Sequence, residues 1–145
     1  MPAKSKLSGK AKAAIVVRLL LNEGADIPLL IDEIPVLAVL GAASEGRFEV
    51  RDAAELRVKE SDRIDTTVAF LRSMGLDVEV RDDGFGFDGL GEARWNAFEA
   101  DSALDHRIGM AAAVAALGAT GPCTVHGTDV IDVSFPEFAQ VMTEL

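Results

Sequence analysis

Two runs, Ile34 to Ala43 and Met110 to Leu117, carry no charge and consist mainly of Ala, Val and Leu. Their length and alanine content favour a buried helix over a strand. A helix that is apolar all round must be covered on nearly every side. The rest of the chain therefore has to form walls around two central helices. Each run opens on an acid, Asp32 and, 73 positions on, Asp105, and each is closed by a glycine, Gly46 or Gly118. A short strand around Val50 or Val125, a polar loop and an amphipathic helix follow each time. Such helix–strand–loop–helix units cannot bury their apolar faces alone and stack around a shared core. The expectation is an α+β domain of central helices walled by short strands, and 145 residues suit one such domain.

The other elements follow from local pattern. Ala11 to Glu23 has helical spacing (Ile15, Leu19) with Gly24 to close it, and Asp26-Ile27-Pro28 is a turn. Arg47 to Arg51 alternates polar and apolar, as a half-buried strand does. Ser61 starts a helix to Met74, with Ile64, Val68, Leu71 and Met74 on one stripe. Val78 and Val80 face one side of a strand, Asp83-Gly84 makes a two-residue turn, and Phe85 and Phe87 return on the partner. Leu90 to Asp101 shows no clear period. Asp105 opens a helix through Leu117, and Cys123-Thr124-Val125 is a short strand. Ser134-Phe135-Pro136-Glu137 has the form of a capping box. Gly84 to Gly89 fits G-x-G-x-x-G, but that fingerprint needs a helix on its last glycine, and Phe85 and Phe87 make a strand instead.

Charge narrows the partners. The net charge is −10, and Lys4, Lys6, Lys10 and Lys12 leave the remaining residues at 10 − 24 = −14. A body so acidic is a poor match for a phosphate backbone, so no nucleic acid is expected. Residues 1–24 read as a basic leader and an atypical helix, apart from a folded unit at 25–145. No membrane span or secretory leader is apparent, and Cys123 as the single cysteine excludes a disulfide framework. A cytoplasmic protein is expected.

The chemistry concentrates at three helix entrances: Asp32-Glu33, the run Arg57-Val58-Lys59-Glu60-Ser61-Asp62-Arg63, and Asp105-His106-Arg107. Helix N-termini favour anions through their free amides. If the units pack together, the three entrances converge on one cleft; the plainer alternative is a set of local ion pairs. His126 and Cys123, on or beside a strand, are read as structural.

These residues carry a resemblance. Arg57 to Ile64, with Leu30-Ile31-Asp32-Glu33-Ile34-Pro35 upstream, resembles a signature of the 5-enolpyruvylshikimate-3-phosphate (EPSP) synthase family. Leu104 to Met110 and Ser134-Phe135-Pro136-Glu137-Phe138 resemble its two later motifs, in the family's order. The resemblance implies part of a C-terminal lobe, built from βαβαββ units with helices inside, about two of which would lie here. It implies the joining of phosphoenolpyruvate to shikimate 3-phosphate, a step of aromatic amino acid biosynthesis, with no metal and no organic cofactor.

By the same resemblance, Asp32 holds and deprotonates the attacking hydroxyl, Lys59 contacts it and shuttles protons, and Glu60 is acid and base at the methylene carbon. Arg63 and Arg107 clamp phosphoenolpyruvate by paired hydrogen bonds, for which Arg is better suited than Lys. Asp105 and His106 position Arg107 and the helix start. The family's N-terminal lysine motif, its Ser-Ala-Gln segment and the arginines that hold shikimate 3-phosphate have no counterpart, and Val133 stands where many members carry lysine. The expected function is therefore that of a fragment, inactive until a missing lobe is supplied. The alternatives are a self-associating remnant without catalysis and a weak phosphate- or phosphoenolpyruvate-binding module.

Overall fold

A computed structural model describes residues 30–91 and 94–145. The helix expected at residues 11–23, the turn at 26–28 and the leader lie outside them. The elements are α1 (Ile34–Ala43), β1 (Glu45–Val50), a 3-10 turn (Ala54–Val58), α2 (Arg63–Ser73), β2 (Glu79–Arg81), β3 (Gly84–Leu90), β4 (Glu99–Asp101), α3 (His106–Ala116), β5 (Thr124–His126), a second 3-10 turn (Thr128–Ile131) and α4 (Phe138–Thr143). This is an α+β arrangement. Strands β1, β3 and β2 form an antiparallel sheet with β3 central, and β4 pairs with β5 in parallel.

Helix α1 has the expected bounds, and Pro35 sits in its first turn, where a missing N–H costs nothing. It packs on α3, β3 and β1 through Ile34, Ala38, Val39 and Ala42. The expectation that it is covered all round is corrected: Val36 and Leu40 are 37% and 59% exposed. The sheet takes one flank and α3 another, and these two side chains stay partly open to solvent. Between sheet and helices, Phe48, Phe85 and Phe87 form the aromatic part of the core, with the Phe48 and Phe87 rings stacked at 5.1 Å across the ladder.

Several boundaries shift for identifiable reasons. The hairpin turn is Asp82-Asp83, since Arg81 pairs with Gly84. Gly84 is needed for close approach: a Cβ there would lie 2.0 Å from the Val50 carbonyl oxygen. Val78 is buried ahead of β2, but Val80 faces outward on that edge strand. The G-x-G-x-x-G run is β3 itself, with no helix opening on Gly89. The Ser134 capping box does not form. Ser134 and Phe135 fold back on the Ile131 carbonyl, and α4 starts only after Pro136, at Phe138, with no side-chain cap. The unassigned stretch before β4 closes the end of α3: Trp95 Nε1 donates to the Ala115 carbonyl at 2.9 Å, and Arg94 donates to the carbonyls of Leu117, Gly118 and Ala119. A guanidinium there offsets the negative end of the helix dipole.

Gly84→Ala is expected to lower stability by about 1–3 kcal/mol, because its methyl meets backbone that cannot yield. Gly86→Ala is expected to cost less, since a Cβ there first meets the flexible end of Arg47. Urea midpoints of the two variants provide the comparison.

Candidate functional site

Asp62 and Asp105 are the N-caps of α2 and α3, each in extended backbone with its carboxylate accepting amides of the first turn. That local rule aims both helix starts at the same region. Arg63, the first residue of α2, is 1% exposed, and Asp105 is fully buried. Arg63 Nε and Nη2 donate to the two oxygens of Asp105 at 2.7 and 3.2 Å. Its Nη1 donates to Asp32 Oδ1 at 2.8 Å, and Nη2 also donates to Glu60 Oε2. Ser61 adds a hydrogen bond to Asp105 Oδ2 at 2.9 Å. Four of the five N–H groups of Arg63 are thus committed to carboxylates.

Around this centre lie the more exposed groups. Lys59 Nζ stands 3.4 Å from Asp32 Oδ1 and 3.0 Å from Glu55 Oε1. Arg107 Nη1 donates to Glu33 Oε1 at 2.6 Å and to the Asp32 carbonyl at 3.4 Å. The Arg107 backbone N–H donates to Asp105 Oδ1 at 3.0 Å. His106 is half-buried in the same turn and takes part in none of these bonds. Asp32, Lys59, Glu60, Arg63, Asp105 and Arg107, which span more than seventy positions of sequence, therefore form one connected network. Val133, by contrast, is a fully outward side chain.

The charges tune one another. Burial pushes the Asp32 carboxyl up, but the hydrogen bond and charge of Lys59, with Arg63 and Arg107, hold it below its ordinary value. Burial also acts to raise Asp105, and Arg63, Ser61 and the Arg107 amide outweigh it and leave it lowered. Lys59 is raised by its hydrogen bond to Glu55, against partial burial, with Asp32 assisting. At neutral pH Asp32 and Asp105 are therefore ionised and Lys59 is protonated. Such a set can deliver and accept protons beside a double bond and can hold a small anion.

Two supports of the cluster have long-range partners. Arg57 donates to the Asp62 and Asp65 carboxylates and to the Arg81 and Asp82 carbonyls, tying the Lys59–Glu60 segment to the β2–β3 turn. Ser61, expected to start the helix, lies two residues ahead of α2, and its hydroxyl donates to Asp105. The charged run marks Arg57, but its bonds to the Arg81 and Asp82 carbonyls, 24 and 25 positions away, follow no helix or strand period.

Helices walled by short strands, with acids and guanidinium groups gathered at the helix entrances, define an α+β unit that carries one charged cluster. Two solved EPSP synthase structures from Acinetobacter baumannii superpose with TM-scores of 0.77 and 0.74, at 40% and 36% identity over 81% of this chain. They are covered to 28% and 27% of their own length. The 3-phosphoshikimate 1-carboxyvinyltransferase of Roseiflexus castenholzii is 48% identical over 123 residues, 85% of this chain and 28% of that protein. Its counterpart in Solibacter usitatus is 51% identical over 116 residues, 80% of this chain and 27% of that protein. The profile of the family described as EPSP synthase (3-phosphoshikimate 1-carboxyvinyltransferase) matches residues 5–142. The chain belongs to the EPSP synthase family and spans a little over a quarter of the length of these relatives. The match takes in most of residues 1–24, which the sequence pattern alone set apart.

Asp105→Asn is expected to cost about 3–5 kcal/mol at neutral pH, because it strips a fully buried guanidinium of its main counter-charge. The lowered carboxyls of Asp32 and Asp105 contribute stability that is complete above the ordinary carboxylate value of 3.8 and is lost as pH falls below it. Urea midpoints should therefore drop steeply below about pH 4 in the native chain, and less so in Asp105→Asn.

Proposed function

We propose that this chain forms the phosphoenolpyruvate-handling part of an EPSP synthase and supports enolpyruvyl transfer to shikimate 3-phosphate once the remainder of such an enzyme joins it. The observation that carries this reading is the single bonded network that draws Asp32, Lys59, Glu60, Arg63 and Arg107 together from three helix entrances.

In this reading Glu60 enters the step in its acid form and protonates the methylene carbon of phosphoenolpyruvate while the sugar hydroxyl adds to the neighbouring carbon and its proton passes to Asp32. The Glu60 carboxylate then takes a proton back from the new methyl group, the double bond re-forms and phosphate leaves. Lys59, held protonated by Glu55 and Asp32, serves as cation and donor to the hydroxyl. Arg107, about one-third exposed, makes the direct contact with the anion. Arg63 lends charge to the same place while its hydrogen bonds fix Asp32 and Glu60. Asp105 positions both arginines, one through its side chain and the other through the helix start. His106 contributes through its place in that first turn.

Mixing the chain with the rest of a relative's sequence is expected to restore phosphate release from phosphoenolpyruvate and shikimate 3-phosphate. Glu60→Ala is expected to lower the restored turnover by at least a hundredfold, the usual weight of a general acid–base. Folded pieces that release no phosphate at high concentration would contradict the proposal.

A second reading, self-association, is favoured by the open flank of α1 and by Leu117, which is 50% exposed. Sedimentation at micromolar concentration should then show a dimer, and a monomer would refute it.

A further inference from the structure

We propose that Glu33 occupies the anion position of Arg107 in the unliganded chain, so that a carboxylate or phosphate ligand binds by displacing an internal carboxylate. This rests on the reading that Arg107 meets phosphoenolpyruvate directly. The two side chains come from different helix entrances, 74 positions apart, and meet with Arg107 Nη1 at 2.6 Å from Glu33 Oε1. Half of Glu33 and a third of Arg107 are open to solvent.

The other acids of the network are committed elsewhere. Asp105 is buried on Arg63 and also caps α3, and Asp32 bridges Arg63 and Lys59. Glu33 has no such duty. It precedes α1 in helical backbone without capping it, and among the described residues its one cation partner is Arg107. A carboxylate set on the edge of a guanidinium presents the same oxygen that a bound pyruvate-type acid would present. A groove of about 200 Å³ opens beside the pair, walled by Pro35, Val36, Met110 and Val114. Glu33 therefore has room to swing away without moving α1. The internal pair sets the affinity of the site by competition. Exposed ion pairs of this kind are worth enough to hold affinity down by about two- to fivefold.

Calorimetric titration with phosphoenolpyruvate at low salt tests this on the native chain, Glu33→Gln, Arg107→Ala and Glu45→Gln. The last removes the same unit of charge from β1. The expected result is binding tightened about two- to fivefold in Glu33→Gln, unchanged in Glu45→Gln and lost in Arg107→Ala. Glu33→Asp, which keeps the charge but draws it back by one methylene, should tighten binding too. Equal affinity in Glu33→Gln and the native chain, with Arg107→Ala weakened, would overturn the competition and leave the role of Arg107 standing. Equal tightening in Glu45→Gln would reduce the effect to net charge and overturn it as well. Absence of saturable heat in every variant at millimolar ligand would overturn both the inference and the reading beneath it.

Discussion

A guanidinium sealed from solvent holds the charged helix entrances of this structure in register. Arg63 carries a full charge into the interior, which is tolerable only because Asp105 receives it along two nitrogens and Asp32 and Glu60 take the rest. Apolar residues of similar volume would pack as well. What an ion pair of fixed geometry adds is a choice of arrangement, because α2 and α3 can approach with these termini together in one way only. The backbone supports the same outcome, since Asp62 and Asp105 turn the chain into each helix with the charged residues at the junction. Capping, ion pairing and burial agree, and such agreement is what lets a sequence specify one structure.

The network is graded from rigid to exchangeable. Arg63 and Asp105 are locked and withdrawn from solvent, and Arg57 anchors the segment that precedes them to the β2–β3 turn. Lys59 and Arg107 lie further out, each with carboxylate partners that are themselves partly exposed. A cluster built this way keeps its inner charged groups at fixed separations and leaves the outer cations on partners that are open to solvent.

Much of this was legible in the residues. The bounds of α1 follow from an uncharged alanine-rich run after an acid, and the returning strand follows from Phe85 alternating with Phe87. The gathering of three charged entrances was legible only as one of two alternatives, beside a set of local ion pairs, because it depends on how the helices pack. Other features depend on partners far along the chain. The strands β4 and β5 have three residues each and pair in parallel, so neither carries a period of its own. Gly84 looks like a turn residue until the Val50 carbonyl is found against it. Ser134 and Glu137 have the right spacing for a cap, yet Ser134 is drawn into the turn that follows Thr128–Ile131. The resemblance gave Arg63 a ligand to grip, whereas the structure commits four of its five N–H groups to carboxylates. That commitment could not be read from the sequence, because Asp105 is 42 positions away and its burial is a tertiary fact.

The division between a locked and an exchangeable arginine is most directly tested by arginine side-chain NMR during addition of phosphoenolpyruvate. The account predicts an Arg63 Nε–H that exchanges slowly with solvent and scarcely shifts, and an Arg107 Nε–H that moves saturably with ligand. An Arg63 signal that exchanges quickly, or that shifts while Arg107 stays still, would contradict it.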